Sequence, residues 1–272
     1  MPKNEKHQIL LTNDDGIRSP GLWAAAEALS PLGFVTVAAP REEQSGSGRG
    51  FPSTSDGVIN QEQVEINGKS WEVFAVGGSP AQVVQHAMFE LMPRKPDLVV
   101  AGINFGENVG SGVTISGTVG AALEAAAYGV HALAISLETK YHLRHRRASE
   151  VDFSTAAYFT HYFGQILLSL KRIEDVDVLK VEVPETATPE TVWKATRISR
   201  EKYFVAVKPK RERLEEPAAL GFRRIEETDH FKPGTDAFAI RVEGVVSVTP
   251  LSLDLTSRID LKQLEESYRR KA

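Results

Sequence analysis

Near its start the chain reads HQILLTNDDGI over residues 7–17. The apolar part of this run predicts a buried strand over residues 9–12, which delivers Asp14 and Asp15 to the edge of a sheet. Two adjacent carboxylates repel each other, and a nearby cation removes that repulsion. Oxygen ligands of this kind suit Mg²⁺, Mn²⁺ or Ca²⁺ better than zinc or copper. A solvated Asp-Gly turn is the alternative interpretation of the same residues.

Strand and helix patterns alternate from this stretch onward through the first half of the chain. Ser19-Pro20 and Ser79-Pro80 each place a capping serine before a proline, which is typical of a helix start. The predicted strands lie at residues 9–12, 34–38, 97–101 and 132–136, and the predicted helices at 22–29, 80–92 and 119–128. This alternation predicts an α/β fold with a doubly wound, mostly parallel sheet in three layers, α/β/α.

Two hairpins are predicted as well. Residues 58–66 and 71–76 flank Asn67-Gly68, and residues 237–242 and 245–249 flank Glu243-Gly244. Between them we expect a long amphipathic helix and another strand, at residues 153–170 and 176–183. The predicted organisation is one α/β domain with a helical tail: the domain covers residues 1–256, its core about 8–140, its C-terminal part about 141–256, and the tail 257–272.

Composition excludes several classes of function. The formal net charge of −4 argues against a general nucleic-acid surface, so no duplex binding is expected. The absence of cysteine excludes disulfides, thiolate metal sites and cysteine catalysis. No apolar stretch approaches the roughly 20 residues of a membrane span. Residues 1–6 lead into a strand without the apolar core of a signal peptide. We therefore expect a cytoplasmic protein without membrane contact.

Ligands of open α/β sheets bind beyond the carboxyl ends of the strands. That rule brings together four loops rich in small or oxygen-bearing residues, at positions 13–16, 44–50, 102–108 and 116–118. The side-chain oxygens of Ser45 and Asn104 can complete the shell of a hard cation with Asp14 and Asp15. For each loop an ordinary interpretation stays open: a surface linker around Ser45 and a hydrogen-bonded turn at Asn104.

Phosphate binding is predicted at two of these loops. Gly46 lets the backbone N–H groups beside Ser45 approach an anion. Ser116, Gly117 and Thr118 open a helix, whose unpaired N–H groups and positive dipole end favour a phosphate. A plain N-cap is the alternative for Ser116 and Thr118. Asn108 is predicted to contact the substrate rather than the metal.

Taken together, these residues resemble the SurE survival-protein family, which are metal-dependent nucleotidases. The resemblance implies a Rossmann-like core and one Mg²⁺ or Mn²⁺ per subunit on Asp14, Asp15, Ser45 and Asn104. It implies hydrolysis of nucleoside 5′- and 3′-monophosphates and extends the candidate substrates to short polyphosphate. It also implies a homodimer or homotetramer built through C-terminal hairpins and a helical arm. The matching blocks are residues 10–17, 39–46, 77–81, 96–104, 106–110 and 116–122, with later ones at 234–237 and 246–251.

The sequence departs from the family pattern at two places. Gly112 and Ile115 stand where the family has an Asp and a Tyr, and Lys180 and Glu182 replace the asparagines of an Asn-Val-Asn-Val-Pro strand end. These changes leave the metal set intact and leave substrate preference open. The basic stretch at residues 142–147 is interpreted as a solvated loop or as a lid over the site.

The predicted chemistry is phosphomonoester hydrolysis, with Asp14, Asp15 and Asn104 as catalytic residues. The cation would neutralise phosphate charge and lower the pKa of an attacking water. The sequence does not determine whether a water or Asp14 is the nucleophile. A non-catalytic nucleotide sensor and a phosphotransferase that forms an aspartyl-phosphate at Asp14 are the alternative functions.

Overall fold

The computed structural model describes residues 6–139 and 151–269. The predicted basic stretch at residues 142–147 therefore lies outside the described residues. The strands are β1 (His7–Thr12), β2 (Gly33–Pro40), β3 (Ile59–Ile66), β4 (Lys69–Val76), β5 (Leu98–Phe105), β6 (His131–Leu137), β7 (Val178–Val183), β8 (Trp193–Ala195), β9 (Phe204–Val207), β10 (Gly221–Arg224) and β11 (Val246–Leu251). The helices are α1 (Pro20–Leu29), α2 (Pro80–His86), α3 (Gly117–Ala127), α4 (Ser154–Ser169), α5 (Asp236–Phe238) and α6 (Leu261–Arg269).

A mostly parallel central sheet runs through the molecule in the order β3-β4-β2-β1-β5-β6-β7-β11-β8. The strands from β4 to β7 are parallel to one another. At one edge β3 is antiparallel to β4, and towards the other edge β11 is antiparallel to β7. Helices α1 and α4 pack together on one face, and α2 and α3 on the other. The three-layer, doubly wound α/β fold is confirmed.

The apolar strands form the centre of the sheet, where helices cover both of its faces. Ile9 and Leu11 belong to the core cluster beneath α1 and α4, whereas Leu10 belongs to the cluster beneath α2 and α3. Helix α1 approaches the sheet closely at Gly21, where a Cβ atom would lie 2.2 Å from the carbonyl oxygen of Ile103 on β5. The central strands therefore have continuous apolar runs rather than an alternating pattern.

The hairpin predicted around Asn67-Gly68 is confirmed, since β3 pairs with β4 from Ile66↔Lys69 onward. Asn67 and Gly68 have φ angles of 46° and 74°, the left-handed values that a tight type I′ hairpin turn requires. Both predicted helix starts are found, at Pro20 and Pro80. Ser79 forms a capping box with Gln82 at the start of α2, whereas Ser19 occupies the N-cap position of α1 without a side-chain capping hydrogen bond.

The hairpin predicted at residues 237–242 and 245–249 is wrong. The first of these segments is helical: α5 continues into a π-helical turn over Ala239–Glu243, which ends at Gly244 with a φ of 64°. Ala237 and Ile240 lie three residues apart and are both buried, a helical spacing that a short apolar run does not reveal. The second segment becomes β11 within the main sheet, and the C-terminal hairpin is formed instead by β9 and β10.

The predicted C-terminal helix is present as α6, and none of its residues is buried. Across residues 6–139 and 151–269, no helix combines the length and the apolar character that crossing a membrane demands.

We expect Gly21→Ala to destabilise the protein. Alanine favours a helix by up to about 1 kcal/mol over glycine, but its methyl group would collide with a carbonyl oxygen of the central sheet, and overpacking costs about 1–3 kcal/mol or more. The free energy of unfolding, measured by urea titration, should therefore fall. Gly112→Ala is the control, because a Cβ atom there has open space. Equal stability of the two variants would contradict the close packing of α1 on β5.

Candidate functional site

The loop that follows β1 carries Asp14 and Asp15, and hydrogen bonds to its backbone carbonyl groups hold it in place. The side-chain amide of Asn13 donates to the carbonyl oxygen of Gly16 at 3.0 Å. The backbone N–H of Gln44 donates to the carbonyl oxygen of Asp14 at 2.7 Å. Only 4% of Asp14 is exposed. The loops after β1 and β2 are therefore fixed against each other at the carboxyl edge of the sheet.

Thr118 links Asp14 to Asn104. Its hydroxyl donates to Oδ1 of Asp14 and lies 3.3 Å from Oδ1 of Asn104. The amide nitrogen of Asn104 donates to the carbonyl oxygen of Gly106 at 2.6 Å, which leaves the amide oxygen facing Thr118. Asn104 lies within β5 rather than directly after it, beyond a register shift that begins at Ala101. The structure therefore brings these three predicted residues together.

Asp15 lies at the same end of β5. Its Oδ2 accepts a hydrogen bond of 2.9 Å from the backbone N–H of Phe105, the residue that follows Asn104. The two carboxylates thus reach the sheet edge from one loop but use different partners: Asp14 contacts the start of α3, and Asp15 contacts the end of β5.

Burial raises the pKa of Asp14, and hydrogen bonds from the side chain and backbone of Thr118 and from the backbone of Gly117 partly counteract that rise. The N-terminus of α3 is therefore directed at the Asp14 carboxylate. A Cβ atom on Gly117 would lie 2.7 Å from Cβ of Asp14, so only glycine allows the helix to start so close to this side chain.

Ser116 is the N-cap of α3, because its hydroxyl accepts a hydrogen bond of 3.2 Å from the backbone N–H of Val119. This capping role is the ordinary interpretation of the residue. The N–H groups of Gly117 and Thr118 are directed at the Asp14 carboxylate, so the positive end of the helix dipole lies at the carboxyl edge of the sheet, where it favours an anion.

The glycine-rich loop at residues 44–50 packs against the start of α3. The backbone N–H of Gly48 donates to the carbonyl oxygen of Ile115 at 3.0 Å. Ser45 and Gly46 are exposed at the tip of the loop, and the Ser45 hydroxyl donates to Glu43 at 2.7 Å. Ser47 instead points inward, and its hydroxyl would lie 2.7 Å from a Cβ atom on Gly117. From the sequence, Ser45 rather than Ser47 is predicted as a site residue, because the sequence of the loop does not indicate which of its two serines points inward.

Asn108 is half-buried and is held from three sides. Its backbone N–H donates to Glu182 at 2.9 Å, and its carbonyl oxygen accepts from Nζ of Lys180 at 2.9 Å. Its side-chain amide donates to the hydroxyl of Ser136 at 3.1 Å. The two residues by which β7 departs from the family pattern therefore contact a predicted substrate residue. Two charged side chains in an otherwise apolar strand are the signal for this arrangement in the sequence.

The donor set at this edge fits a hard divalent cation. Asp14, Asp15 and Asn104 offer carboxylate and amide oxygens, the ligand types of Mg²⁺ and Mn²⁺. Within the described part of the protein, the buried Ser47 hydroxyl and the amide oxygen of Asn13 have no hydrogen-bond partner, and such buried oxygens are commonly satisfied by an ion or water. No group of three or more His, Cys, Asp or Glu side chains in residues 6–139 and 151–269 can hold a metal, so the candidate set is a mixed-oxygen one.

Comparison with known proteins gives a consistent assignment. Residues 9–205 match the family model described as Survival protein SurE. The chain is 42% identical over 261 residues to the 5′-nucleotidase SurE of Archaeoglobus fulgidus, covering 95% of this chain and 96% of that one. It is 39% identical over 258 residues to the 5′-nucleotidase SurE of Thermococcus gammatolerans, with 95% and 94% covered. The crystal structure of the SurE protein from Aquifex aeolicus superposes with a TM-score of 0.73 at 30% identity, covering 97% of this chain and all of that chain. The resemblance stated from the sequence blocks is thus confirmed, and the chain belongs to the SurE family.

Proposed function

We propose that this protein is a divalent-cation-dependent phosphomonoesterase that hydrolyses nucleoside monophosphates to nucleoside and phosphate. The names of its relatives support the 5′-nucleotidase reaction. The observation that carries the proposal is the convergence of Asp14, Asn104 and the N-terminus of α3 on one point. On the basis of the family resemblance, the proposal extends to 3′-monophosphates and short polyphosphate.

In this scheme Asp14, Asp15 and Asn104 would hold Mg²⁺ or Mn²⁺, with an oxygen from Ser45 or Ser47. A bound divalent cation neutralises charge on the phosphate and lowers the pKa of the water that it binds. The positive end of the α3 dipole favours the phosphate at Ser116, Gly117 and Thr118, and Ser45-Gly46 would bind its oxygens from the other side. Asn108 contacts the substrate. Held in this way, the phosphorus is open to in-line attack, which breaks its bond to the ribose oxygen.

Water rather than Asp14 is the proposed nucleophile. Oδ1 of Asp14 accepts the Thr118 hydroxyl, and the backbone of Gly117 and Thr118 also contacts the carboxylate. A carboxylate engaged in this way is better suited to hold a cation than to attack phosphorus. A trapped phospho-enzyme would favour the phosphotransferase alternative, and cation binding without phosphate release would favour the sensor.

Assembly and location are also proposals. Helix α6 buries none of its residues and exposes Leu261 and Tyr268, which lie seven residues apart along one side. Such an arm supports a homodimer or homotetramer. A cytoplasmic location without duplex or membrane binding stays a prediction from composition.

We expect Asp14→Asn to lower the rate of phosphate release from AMP and GMP by at least about 100-fold, because the variant loses a charge that acts on the transition state. The measurement is inorganic phosphate release at saturating Mn²⁺, with thermal unfolding as the check on folding. Asp97→Asn is the matched control, since Asp97 contacts Arg94 and Gln8 instead of the site residues. Near-normal turnover by folded Asp14→Asn would contradict the scheme, and a trapped phospho-enzyme would favour the phosphotransferase.

We expect EDTA to abolish phosphate release and Mn²⁺ or Mg²⁺ to restore it. A cation bound only by the folded state stabilises it by about 2.7 kcal/mol at 100 times its Kd, so adding Mn²⁺ should raise the melting temperature. Asp14→Asn should lose this rise, whereas Asp97→Asn should retain it. A cation-induced rise without any phosphate release over a panel of monophosphates would favour the sensor.

We expect Gly117→Ala to abolish activity, since its methyl group would lie 2.7 Å from Cβ of Asp14 and from Oγ of Ser47. Gly112→Ala, in the loop before the same helix, should retain activity because its methyl group meets nothing. Phosphate release and the Mn²⁺-induced rise in melting temperature are the two measurements. Wild-type values of both for Gly117→Ala would show that this helix start does not form part of the site.

A further inference from the structure

Three charged side chains are completely buried beside the candidate site. Lys180 and Glu182 on β7 and Asp236 at the start of α5 each have 0% of their surface exposed. Nζ of Lys180 lies 3.2 Å from Oε1 of Glu182 and 3.2 Å from Oδ2 of Asp236. Burying each ion costs several kcal/mol, and apolar residues of similar size are often as stable or more stable in such places. Stability alone therefore gives little reason for this buried charge cluster.

Strand β7 lies inside the sheet, between β6 and β11. Lys180 and Glu182 are two residues apart, so both side chains lie on one face of the strand. Val181 and Val183 face the opposite way, into the core cluster beneath α1 and α4. The two charges thus replace apolar side chains at positions where a parallel strand is normally apolar on both faces.

The partners of the cluster are concentrated on one loop. Glu182 and Lys180 bind both backbone polar groups of Asn108, and Asp236 accepts from the backbone N–H of Gly110 at 3.0 Å. Asp236 also accepts from the backbone N–H of Ser199 at 2.8 Å. Asn108 lies between the end of β5 and a 3₁₀ turn at Gly110–Thr114, so neither its N–H nor its carbonyl oxygen is held by a helix or strand ladder.

We infer that Lys180, Glu182 and Asp236 are positioning residues that fix the backbone of Asn108 so that its side chain meets the substrate. The inference rests on the proposed function, because that function assigns Asn108 to the substrate. The charges suit this role because a carboxylate is the acceptor that an N–H needs and an ammonium is the donor that a carbonyl needs. Charge-assisted hydrogen bonds of this kind are stronger than neutral ones. Ser136 then orients the Asn108 side chain from β6.

The test is a double-mutant cycle between Glu182→Gln and Asn108→Ala, with KM and kcat for AMP measured on each folded variant. Glu182→Gln keeps the shape of the side chain and removes its charge. We expect each single variant to lower kcat/KM by about tenfold or more, since small displacements of positioning groups have effects of up to about 100-fold, with most of the change in KM. The double variant should be no worse than Asn108→Ala, because both changes act through the same contact.

Two further measurements separate positioning from a merely structural role. Amide hydrogen exchange of the peptide covering residues 106–110 should be faster in Glu182→Gln. Asp97→Asn controls for reduced stability, and its KM should stay at the wild-type value. Asp236→Asn removes another charge of the same cluster, which contacts Lys180 and the backbone of Gly110. It should also raise KM and speed exchange of residues 106–110, so it serves if Glu182→Gln fails to fold, and wild-type values of both would overturn the positioning role.

The outcomes distinguish this inference from the proposed function. If the wild-type protein releases phosphate but folded Glu182→Gln has wild-type KM and exchange rates, or if the cycle is additive, the positioning role is overturned and the nucleotidase proposal stands. If the wild-type protein releases no phosphate from any monophosphate, the proposed function fails. The affinity for AMP and the exchange of residues 106–110 in Glu182→Gln then decide the positioning role, and wild-type values of both overturn it.

Discussion

The burial of one carboxylate, that of Asp14, organises this end of the molecule. An ionised group excluded from water needs compensating partners, and here these are the Thr118 hydroxyl and the backbone at the start of α3. Because the helix must begin so close to the carboxylate, Gly117 has no room for a side chain. Helix α3 is packed just as closely one turn further on, at Gly120, where a Cβ atom would lie 2.1 Å from the carbonyl oxygen of Gly48 in the glycine-rich loop. Close packing at Gly117 and Gly120 thus joins the Asp14 carboxylate, the start of α3 and the glycine-rich loop.

The parallel sheet explains why residues so far apart in the chain meet. β1 and β5 are neighbours with matched register, Thr12 opposite Ala101, so the residues that follow each strand leave the sheet at the same edge. Asp15 contacts Phe105 there, and Asp14 is linked to Asn104 through Thr118. β6 and β7 continue the edge, where Ser136 lies opposite Glu182. Consecutive strand ends therefore supply the proposed cation ligands first and the support of Asn108 next to them.

Much of this arrangement could be predicted from the sequence, and the exceptions have physical causes. Strands buried on both faces, helix starts before proline and turns that need two positive φ angles are encoded locally. The strand at residues 9–12 and the turn at 67–68 are therefore found as predicted. The helix predicted at residues 80–92 is found as α2, which continues as a π-helical turn over Ala87–Leu91. The segment at residues 237–242 did not, because a short apolar run suits a strand and a buried helix equally. The inward turn of Ser47 and the contact of Glu182 with Asn108 depend on packing between distant elements, which local patterns do not record.

The C-terminal part of the chain reinforces the same loop from a second direction. Arg224 on β10 lies 3.8 Å from Glu107 and 3.5 Å from Glu138, and burial together with the Glu107 carboxylate raises the pKa of Glu138. Glu107 precedes Asn108, so the β9–β10 hairpin and the Lys180–Glu182–Asp236 cluster act on consecutive residues. Asp236 and Arg224 both lie beyond the family-model match at residues 9–205. If the loop at residues 105–110 contacts the substrate as proposed, segments beyond that match therefore contribute to its position together with Lys180 and Glu182. Variation among relatives in that part of the chain would then change how substrates bind while leaving the proposed cation ligands untouched.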